Sequence, residues 1–538
     1  MRVAGAHSST LFIIAALVAW SCGGSKTLIS SDAAVAEEGP FDCSQFLDTD
    51  GDTIADHVEG TGDRDSDGVP NYLDQDSDGD TIPDAVEVGD PDLCTPPANT
   101  DGSDEPDFLD MDSDDDGVPD LEEAGTYSTD PRDPDTDGDG VTDLGEIAYG
   151  SDPTDPTSTI DPRDFFVILP YMADEHEFRD LDFSTEIKLA DVYFLVDTTG
   201  SMDSAIMNIA TGLAGRIVPG LRAAIPDVQM GVGHFNDFPQ GEYGDPEDLP
   251  FWHVQSITSA DATVQLALNS LYGSTPWGSG FDTPEASVIA LWSVATGDGV
   301  SDCSASVPPQ DCPPHPEEMA PRRGYPCFRP GALPIVVHVT DAPWHNDASM
   351  TYPYDCTSID YDFALEAMLG IGARYVGVFV DNYGTEGLPV MEQFATDTGS
   401  VSDTGEPLVE VVMGGGSVDM AIVDVIATLA SAAPMEVNAV AEDVGDDPPG
   451  ADLDARVFVK GIRPVGGYPD APVGFDWMDD EYFHGVRPGT VVTFRVEFFN
   501  STLAPADTAR VFTARIVVIG NGVTRLDERL VVIIVPGS

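Results

Sequence analysis

Residues 189–202 read Leu189-Ala-Asp-Val-Tyr-Phe-Leu-Val196 and then Asp197-Thr-Thr199-Gly-Ser201-Met202. The apolar run is rich in β-branched and aromatic residues, which predicts a strand buried on both faces of a sheet. In an open α/β sheet the carboxyl ends of the strands face the ligand crevice. A short turn at that edge brings the carboxylate of Asp197 and the hydroxyls of Thr199 and Ser201 to one point. Such oxygen ligands suit Mg²⁺, Mn²⁺ or Ca²⁺.

The surrounding residues, 163–432, alternate between apolar strand-like runs and helical stretches. This alternation predicts a doubly wound, Rossmann-like α/β domain. The predicted strands include residues 192–196, 228–232, 334–338 and 375–380, and the predicted helices lie near residues 206–224, 284–295 and 418–431.

Two later loops carry further oxygen ligands. Asp282-Thr283-Pro-Glu285 comes just before a predicted helix, and Asp341 follows the apolar run that ends at Thr340. If the strands are ordered as predicted, both loops lie at the same sheet edge as Asp197. Asp237 follows another predicted strand and is a candidate for a neighbouring metal, together with Asp282.

The three loops together resemble the metal-ion-dependent adhesion site (MIDAS) of von Willebrand factor A (vWA) domains. The segments around Asp282 and Asp341 are more similar to the A-like domain of integrin β subunits. The resemblance implies a metal held by Asp197, Thr199, Ser201 and Asp341, with either Glu285 or Thr283 from the second loop. Two features depart from the integrin pattern: Gly280 replaces an Asn, and Ser204-Ala205 replaces a pair of acids.

This resemblance implies a binding mechanism. Few charged groups contact the metal directly, so an open coordination position accepts an Asp or Glu carboxylate from a protein or matrix ligand. The alternative is a metal that only stabilises the fold.

The charge balance points to cations. The 538 residues include 97 Asp and Glu against 22 Lys and Arg, a formal net charge of −75. Such a chain repels nucleic acid and anionic lipid. Residues 42–161 hold 39 of the acids and two basic residues, Arg64 and Arg132. This segment is either a disordered acidic spacer or a series of metal loops, and the spacing of its acids decides between them.

The acids in residues 42–157 recur at fixed spacing. In four copies, carboxylates occupy loop positions one, three, five, nine and twelve, which suits the many oxygen ligands of Ca²⁺. A variant copy uses Asp63, Asp65, Asp67, Asn71 and Asp74, and a degenerate copy uses Asn99, Asp101, Asp104, Asp107 and Asp110. The four regular copies are Asp48, Asp50, Asp52, Asp56 and Glu59; Asp76, Asp78, Asp80, Asp84 and Glu87; Asp112, Asp114, Asp116, Asp120 and Glu123; and Asp135, Asp137, Asp139, Asp143 and Glu146.

These copies resemble thrombospondin type 3 calcium repeats. The resemblance implies an extended, calcium-stabilised rod in which the ions are structural, because the segment holds too few apolar residues for an ordinary core.

The first residues predict export. Arg2 precedes the apolar residues 11–20, a run too short to span a bilayer. The sequence Ala19-Trp-Ser-Cys22 resembles a bacterial lipoprotein signal, which implies a signal peptide at 1–21, an acylated Cys22 and a tether at 22–41. The alternative is ordinary signal-peptidase cleavage. The expected location is the outer cell surface, as a lipoprotein anchored in the outer membrane or released extracellularly, with membrane contact only through the lipid.

Six further cysteines predict disulfides in an exported protein. Cys43 and Cys94 flank the first acidic loops and are expected to pair, while the remaining four allow three pairings. Three of these four lie in a Pro-rich insertion at residues 298–330, which is either a part of the metal face or a passive stapled loop. The four are Cys303, Cys312, Cys327 and Cys356.

Residues 433–538 predict an all-β domain, for which a β-sandwich is the natural expectation. Asn521-Gly522 is a hairpin signal between its last two strands. The chain lacks H-E-x-x-H, G-x-S-x-G and phosphate-loop motifs, so an enzyme is not expected. We therefore expect a multidomain, surface-anchored adhesin or ligand-binding protein, with a calcium-dependent envelope scaffold as the alternative and a hydrolase as a remote third class.

Overall fold

The computed structural model describes residues 46–102, 105–158, 165–173, 175–241, 243–272, 282–313, 320–382, 384–445, 453–504, 506 and 510–536. The chain divides into two units, one ending at Ala98 and the other beginning at Asn99. Within the described residues, every helix falls short of the length and apolarity that a membrane span requires.

The chain forms eleven α-helices and fifteen strands among its described residues. The helices are α1 Asp56–Glu59, α2 Asp84–Glu87, α3 Asp120–Glu122, α4 Asp143–Tyr149, α5 Asp203–Gly212, α6 Val218–Ala224, α7 Asp261–Leu271, α8 Ser287–Thr296, α9 Tyr361–Gly370, α10 Leu388–Asp397 and α11 Val418–Ala432. The strands are β1 Phe165–Ile168, β2 Glu177–Ser184, β3 Leu189–Asp197, β4 Asp227–Phe235, β5 Trp252–Thr258, β6 Leu333–Thr340, β7 Arg374–Asp381, β8 Val409–Met413, β9 Met435–Asp443, β10 Val459–Tyr468, β11 Trp477–Met478, β12 Phe483–Val486, β13 Val491–Phe498, β14 Arg510–Gly520 and β15 Thr524–Val535.

A six-stranded sheet with the order β5-β4-β3-β6-β7-β8 forms the centre of the α/β domain. All neighbours pair in parallel except β4 and β5, which are antiparallel. The strand order reverses between β3 and β6, because the chain moves outward from β3 to β4 and later returns to the other side of β3. Such a switch point opens a crevice at the carboxyl ends of the two strands, where open α/β sheets bind ligands.

Strand β3 is buried on both faces, as its apolar run predicts. Val192, Phe194 and Val196 contact the core formed with α5, α6, α7 and α11. Tyr193 and Leu195 face the opposite core, formed with α8, α9 and α10. The two cores hold the sheet rigid between helical layers and fix the position of the loops at its edge. This mixed α/β architecture is compatible with a vWA-like fold.

The β-rich region contains a six-stranded sheet of order β1-β15-β14-β9-β12-β11 and a three-stranded sheet of order β10-β13-β2. Its first two strands precede the α/β domain in the chain, since β1 pairs with β15 and β2 pairs with β13. The predicted boundary at 163 assigned these strands to the α/β domain, whereas their pairing assigns them to the β-rich region. The α/β domain is therefore inserted between β2 and β9.

The last two regular acidic loops pack against this β-rich region. Val118 and Leu144 form a small apolar cluster with Val532 and Ile534 of β15. Helix α4, which closes the last loop, begins after Thr142 and ends at Gly150, whose φ of 90° is the left-handed conformation typical of a helix end. The loops thus gain from β15 an apolar surface that their own sequence lacks.

Two disulfides join the four later cysteines, Cys303 to Cys356 and Cys312 to Cys327. Cys94 is also disulfide-bonded, but Cys43 and Cys22 lie outside the described residues, so their predicted roles remain predictions. The insertion is not a passive loop, because its residues Val307 and Phe328 belong to the core beneath α8.

Candidate functional site

The carboxylate of Asp197, at the end of β3, is fully buried and hydrogen-bonded. Its Oδ1 accepts from the Thr199 backbone N–H at 2.8 Å and from the Thr199 hydroxyl at 2.7 Å. Its Oδ2 accepts from the Thr340 hydroxyl at 2.7 Å, which ties the turn after β3 to the end of β6. All of these donors are neutral, so they orient the carboxylate without cancelling its charge.

Asp341 closes the same site from the β6 side. The Ser201 hydroxyl donates to its Oδ1 at 3.0 Å, and the hydroxyls of Ser201 and Thr199 lie 3.4 Å apart. Asn382, just after β7, donates to the other oxygen of Asp341 at 2.9 Å and to the Ser201 carbonyl at 3.1 Å. The structure therefore brings together the four residues predicted from the first and third loops.

The second loop contributes Glu285 in preference to Thr283. Glu285 is 4% exposed, whereas the side chain of Thr283 is exposed. The backbone of Glu285 is fixed by hydrogen bonds to Pro343 and His345 on the third loop, at 3.0 and 3.1 Å. Its Oε2 is buried without a hydrogen bond to any described residue. A buried acceptor in this state needs a ligand to compensate for its lost hydration.

The three acids disfavour one another's charge. Burial and then the nearby charge of Asp341 raise the pKa of Asp197 to about 7, against the lowering effect of its hydrogen bonds. Burial and then the charge of Asp197 raise the pKa of Glu285 well above its usual value. A divalent cation among these oxygens would reverse both effects. The donor set of two hydroxyls and three carboxylates fits Mg²⁺, Mn²⁺ or Ca²⁺.

A second group of ionisable side chains lies beside this site. His345 Nε2 is 3.2 Å from Asp282 Oδ2 and 3.5 Å from Asp237 Oδ2. Asp237 and His345 are almost completely buried, while Asp282 is half-exposed. Burial alone would lower the pKa of His345, but the two carboxylates outweigh it and raise that pKa to about 9.

Sequence reasoning missed several residues at this edge. Thr340, Asn382 and Tyr354 serve as donors to the acids, the last through its hydroxyl to Asp237. Asp248 is 1% exposed, and the charge of Asp237 helps burial to raise its pKa to about 6. Asn382 follows a buried strand and could have been found by position, whereas Asp248 lies in a loop without a local signal.

The acidic loops share a hydrogen-bonding pattern that separates their acids into two roles. The position-nine Asp accepts from the backbone N–H and the hydroxyl of a Ser or Thr seven residues earlier. This occurs in five loops, at Thr49–Asp56, Ser77–Asp84, Thr100–Asp107, Ser113–Asp120 and Thr136–Asp143. These Asp residues therefore close the loops, in addition to any part they have in holding a cation.

The acids at the third, fifth and twelfth positions turn inward. Buried carboxylate oxygens without a hydrogen bond to a described residue occur on Asp50, Asp52, Asp78, Asp80, Asp114, Asp137, Glu59 and Glu123. The backbone at position six adopts a positive φ in five loops, as a calcium-binding loop requires at its sharp turn. The residues at that position are Thr53, Gly68, Thr81, Gly117 and Gly140.

Burial and mutual repulsion also act on these acids. Burial and then the charges of Asp52 and Asp50 raise the pKa of Glu59 to about 9. Oxygens of Asp52, Glu59 and Asp84 lie within 4.8 Å of one another. Like charges this close are costly unless protons or a cation neutralise them.

The two irregular copies differ from the rest. In the variant copy, Asn71 accepts from the Arg64 backbone N–H at 3.1 Å in the manner of a position-nine Asp. Asp63, Asp65 and Asp67 remain near the surface. In the degenerate copy, Arg132 lies 3.3 Å from the buried Asp107, and residue 104 is outside the described residues. A guanidinium thus takes up negative charge where the acid pattern fails.

No family model and no curated protein matches the chain. Among solved structures, the chain is similar to a von Willebrand factor type A protein from Catenulispora acidiphila, with 10% identity and a TM-score of 0.31 over 71% of this chain and 76% of that one. It is also similar to the pilus adhesin SpaC from Lactobacillus rhamnosus GG in its open conformation, with 13% identity and a TM-score of 0.27 over 67% of this chain and 45% of that one. The chain thus spans less than half of the adhesin, and neither likeness carries an argument about function.

Proposed function

We propose that this protein binds a carboxylate-bearing protein or matrix ligand through a divalent cation held by Asp197, Thr199, Ser201, Glu285 and Asp341. The observation that carries the proposal is the buried, unbonded Oε2 of Glu285 beside the buried carboxylate of Asp197. Acids that served only the fold would be expected to meet basic or donor groups. A bound cation supplies an electrophilic position for a partner's carboxylate oxygen.

The protein's own residues prepare that position. Thr199 and Thr340 hold the Asp197 carboxylate from two sides, so that it need not rearrange when a ligand arrives. Asn382 fixes Asp341 and the Ser201 backbone together. Preorganisation of this kind reduces the entropic cost of binding.

The acidic loops would hold structural calcium and form a rod of thrombospondin type 3 character. This part of the proposal is supported by the inward-facing acids and by the positive φ at position six. The two sheets of the β-rich region would form a sandwich that carries the α/β domain. An acylated Cys22 would anchor the exported chain at the outer surface, and the two disulfides suit an oxidising compartment.

The test uses the full chain and immobilised peptides that present an Asp or Glu carboxylate, with Asn and Gln peptides as controls. Wild-type protein is expected to be captured in Mg²⁺, Mn²⁺ or Ca²⁺ and released by chelator. Asp197→Ala should weaken capture by at least about 30-fold, the equivalent of about 2 kcal/mol.

The matched control is Asp203→Ala, which removes an exposed acid just beyond the same turn. Its capture should equal that of wild type. Equal capture of wild type and Asp197→Ala, with both folded by circular dichroism, would rule out the adhesion-type site and favour a scaffold whose metals are purely structural.

A further inference from the structure

A compact cluster of one imidazole and two carboxylates lies outside the ligand set used above. It consists of Asp237 after β4, Asp282 before α8, and His345 on the loop after β6. One ligand atom from each residue lies within 4.8 Å of the other two. Asp237 and His345 are 1% and 2% exposed, so both polar groups have lost most of their contact with water.

The hydrogen-bonding state of His345 points into the cluster. Its Nδ1 lies 2.8 Å from the Tyr352 carbonyl oxygen, which can only accept, so Nδ1 carries the hydrogen. The lone pair of a neutral ring is then on Nε2. Within the described residues this nitrogen forms no hydrogen bond, and neither does the buried Oδ2 of Asp237. A lone pair facing two carboxylates is repelled unless a positive charge lies between them.

The spacing fits a small metal ion. Two ligand atoms of a tetrahedral ion with bonds of about 2.0–2.1 Å stand about 3.3–3.4 Å apart. The nitrogen lies 3.2 Å from Asp282 and 3.5 Å from Asp237. Histidine ligands commonly donate their other N–H to a backbone carbonyl, as His345 does to Tyr352.

The choice of metal follows from the nitrogen. Ca²⁺ and Mg²⁺ take oxygen ligands, whereas imidazole suits first-row transition metals such as Zn²⁺. We propose that Asp237, Asp282 and His345 form a transition-metal site, with Zn²⁺ as its preferred ion, next to the adhesion-type site and chemically distinct from it. The site does not require that the neighbouring site bind a partner.

The experiment titrates the full chain with Zn²⁺ in excess Mg²⁺ and Ca²⁺, which saturate sites made only of oxygen. Calorimetry should show one tight equivalent of Zn²⁺ in wild type. His345→Ala should weaken it by more than about 100-fold, beyond the effect typical of losing an outer-shell partner. Asp282→Asn, at a half-exposed position that leaves folding intact, should weaken it in the same direction. Co²⁺ in place of Zn²⁺ should give a visible spectrum that His345→Ala alters.

Two controls separate the alternatives. His484, which lies between Glu436 and Asp479 at the surface, is the other histidine with two acids. Retained Zn²⁺ in His484→Ala and in Asp197→Ala supports the proposal, and the latter variant also separates it from partner binding. Loss of the equivalent in His484→Ala alone would overturn the proposal. Absence of tight Zn²⁺ binding in wild type would also overturn it and leave the His345 imidazolium as the balancing charge.

Discussion

Strand β3 carries a buried aspartate near each end, and the two are treated in opposite ways. Asp191 accepts from the Arg329 backbone N–H at 2.6 Å and from its guanidinium at 2.7 Å. Asp197, at the other end, receives only hydroxyl and backbone N–H donors and faces two more acids. One carboxylate is neutralised within the chain, and the other is left for a cation from outside.

The difference separates structural charge from charge that is open to a ligand. It also corrects an expectation about the insertion at 298–330, which was considered as a part of the metal face. The guanidinium that ends this insertion lies at the end of β3 remote from Asp197, where it also contacts Asp227 at 3.2 Å. The acidic loops belong with Asp197, since most of their acids have no basic neighbour in a segment with so few basic residues.

Calcium removal should give the largest effect. In chelator, residues 46–149 should lose most of their hydrogen-exchange protection, because cation binding supplies their folding free energy. The core around β3 should keep its protection. Equal protection of the loops with and without calcium would contradict the classification of these acids with Asp197.

The pH dependence of the calcium-free loops extends this prediction. Burial raises the pKa of Glu59 to about 9 and that of Asp78 to about 8, so the folded loops hold protons that the unfolded chain releases near pH 4. Their free energy of unfolding should therefore fall as the pH rises from about 4.5 to 9. Excess calcium should remove this slope in urea denaturation.

Arg329→Met should give the next largest effect. It leaves the fully buried Asp191 without its cation and should lower the free energy of unfolding by about 3–5 kcal/mol. The matched change at the other end, Asp197→Asn, should leave the metal-free protein as stable as wild type, because it removes an uncompensated buried charge. Denaturant unfolding in chelator measures both. A larger loss from Asp197→Asn than from Arg329→Met would reverse the comparison.

Loss of a single loop-closing hydroxyl should give the smallest effect. Ser113→Ala removes the 2.7 Å hydrogen bond to Asp120 and keeps the backbone bond. The cost should be about 1–2 kcal/mol in saturating calcium. Ser113→Thr is the control, because other loops carry Thr at that position. A melting temperature that is the same for Ala, Thr and wild type would show that the hydroxyl does not stabilise the loop.

Much of the α/β domain could be predicted because its signals are local. The buried strand, the turn after it and the helices near residues 206–224 and 418–431 all follow from short patterns, and α5, α6 and α11 occupy those positions. The hairpin signal is likewise confirmed, since Asn521 and Gly522 both adopt a positive φ between β14 and β15. In each case the residues that determine the structure lie next to one another in the chain.

The failures have a common physical cause. Strand β1 pairs with residues more than 360 positions later, and no local pattern specifies such a partner. Glu285 could not be separated from Thr283 until burial distinguished them. The contact of His345 with Asp237 and Asp282 joins three separate loops, so only the folded chain reveals it.

The insertion of the α/β domain between β2 and β9 has a consequence for the order of folding. During synthesis, residues 189–432 can complete their own sheet while the partners of β1 and β2 do not yet exist. The β-rich region closes only after β13 and β15 emerge, and long-range pairing of this kind is slow. The last acidic loops find their apolar surface on β15 at that same late moment. A nascent chain stopped near residue 440 should therefore hold a finished α/β core beside unpaired edges, the stage at which it most needs protection from aggregation.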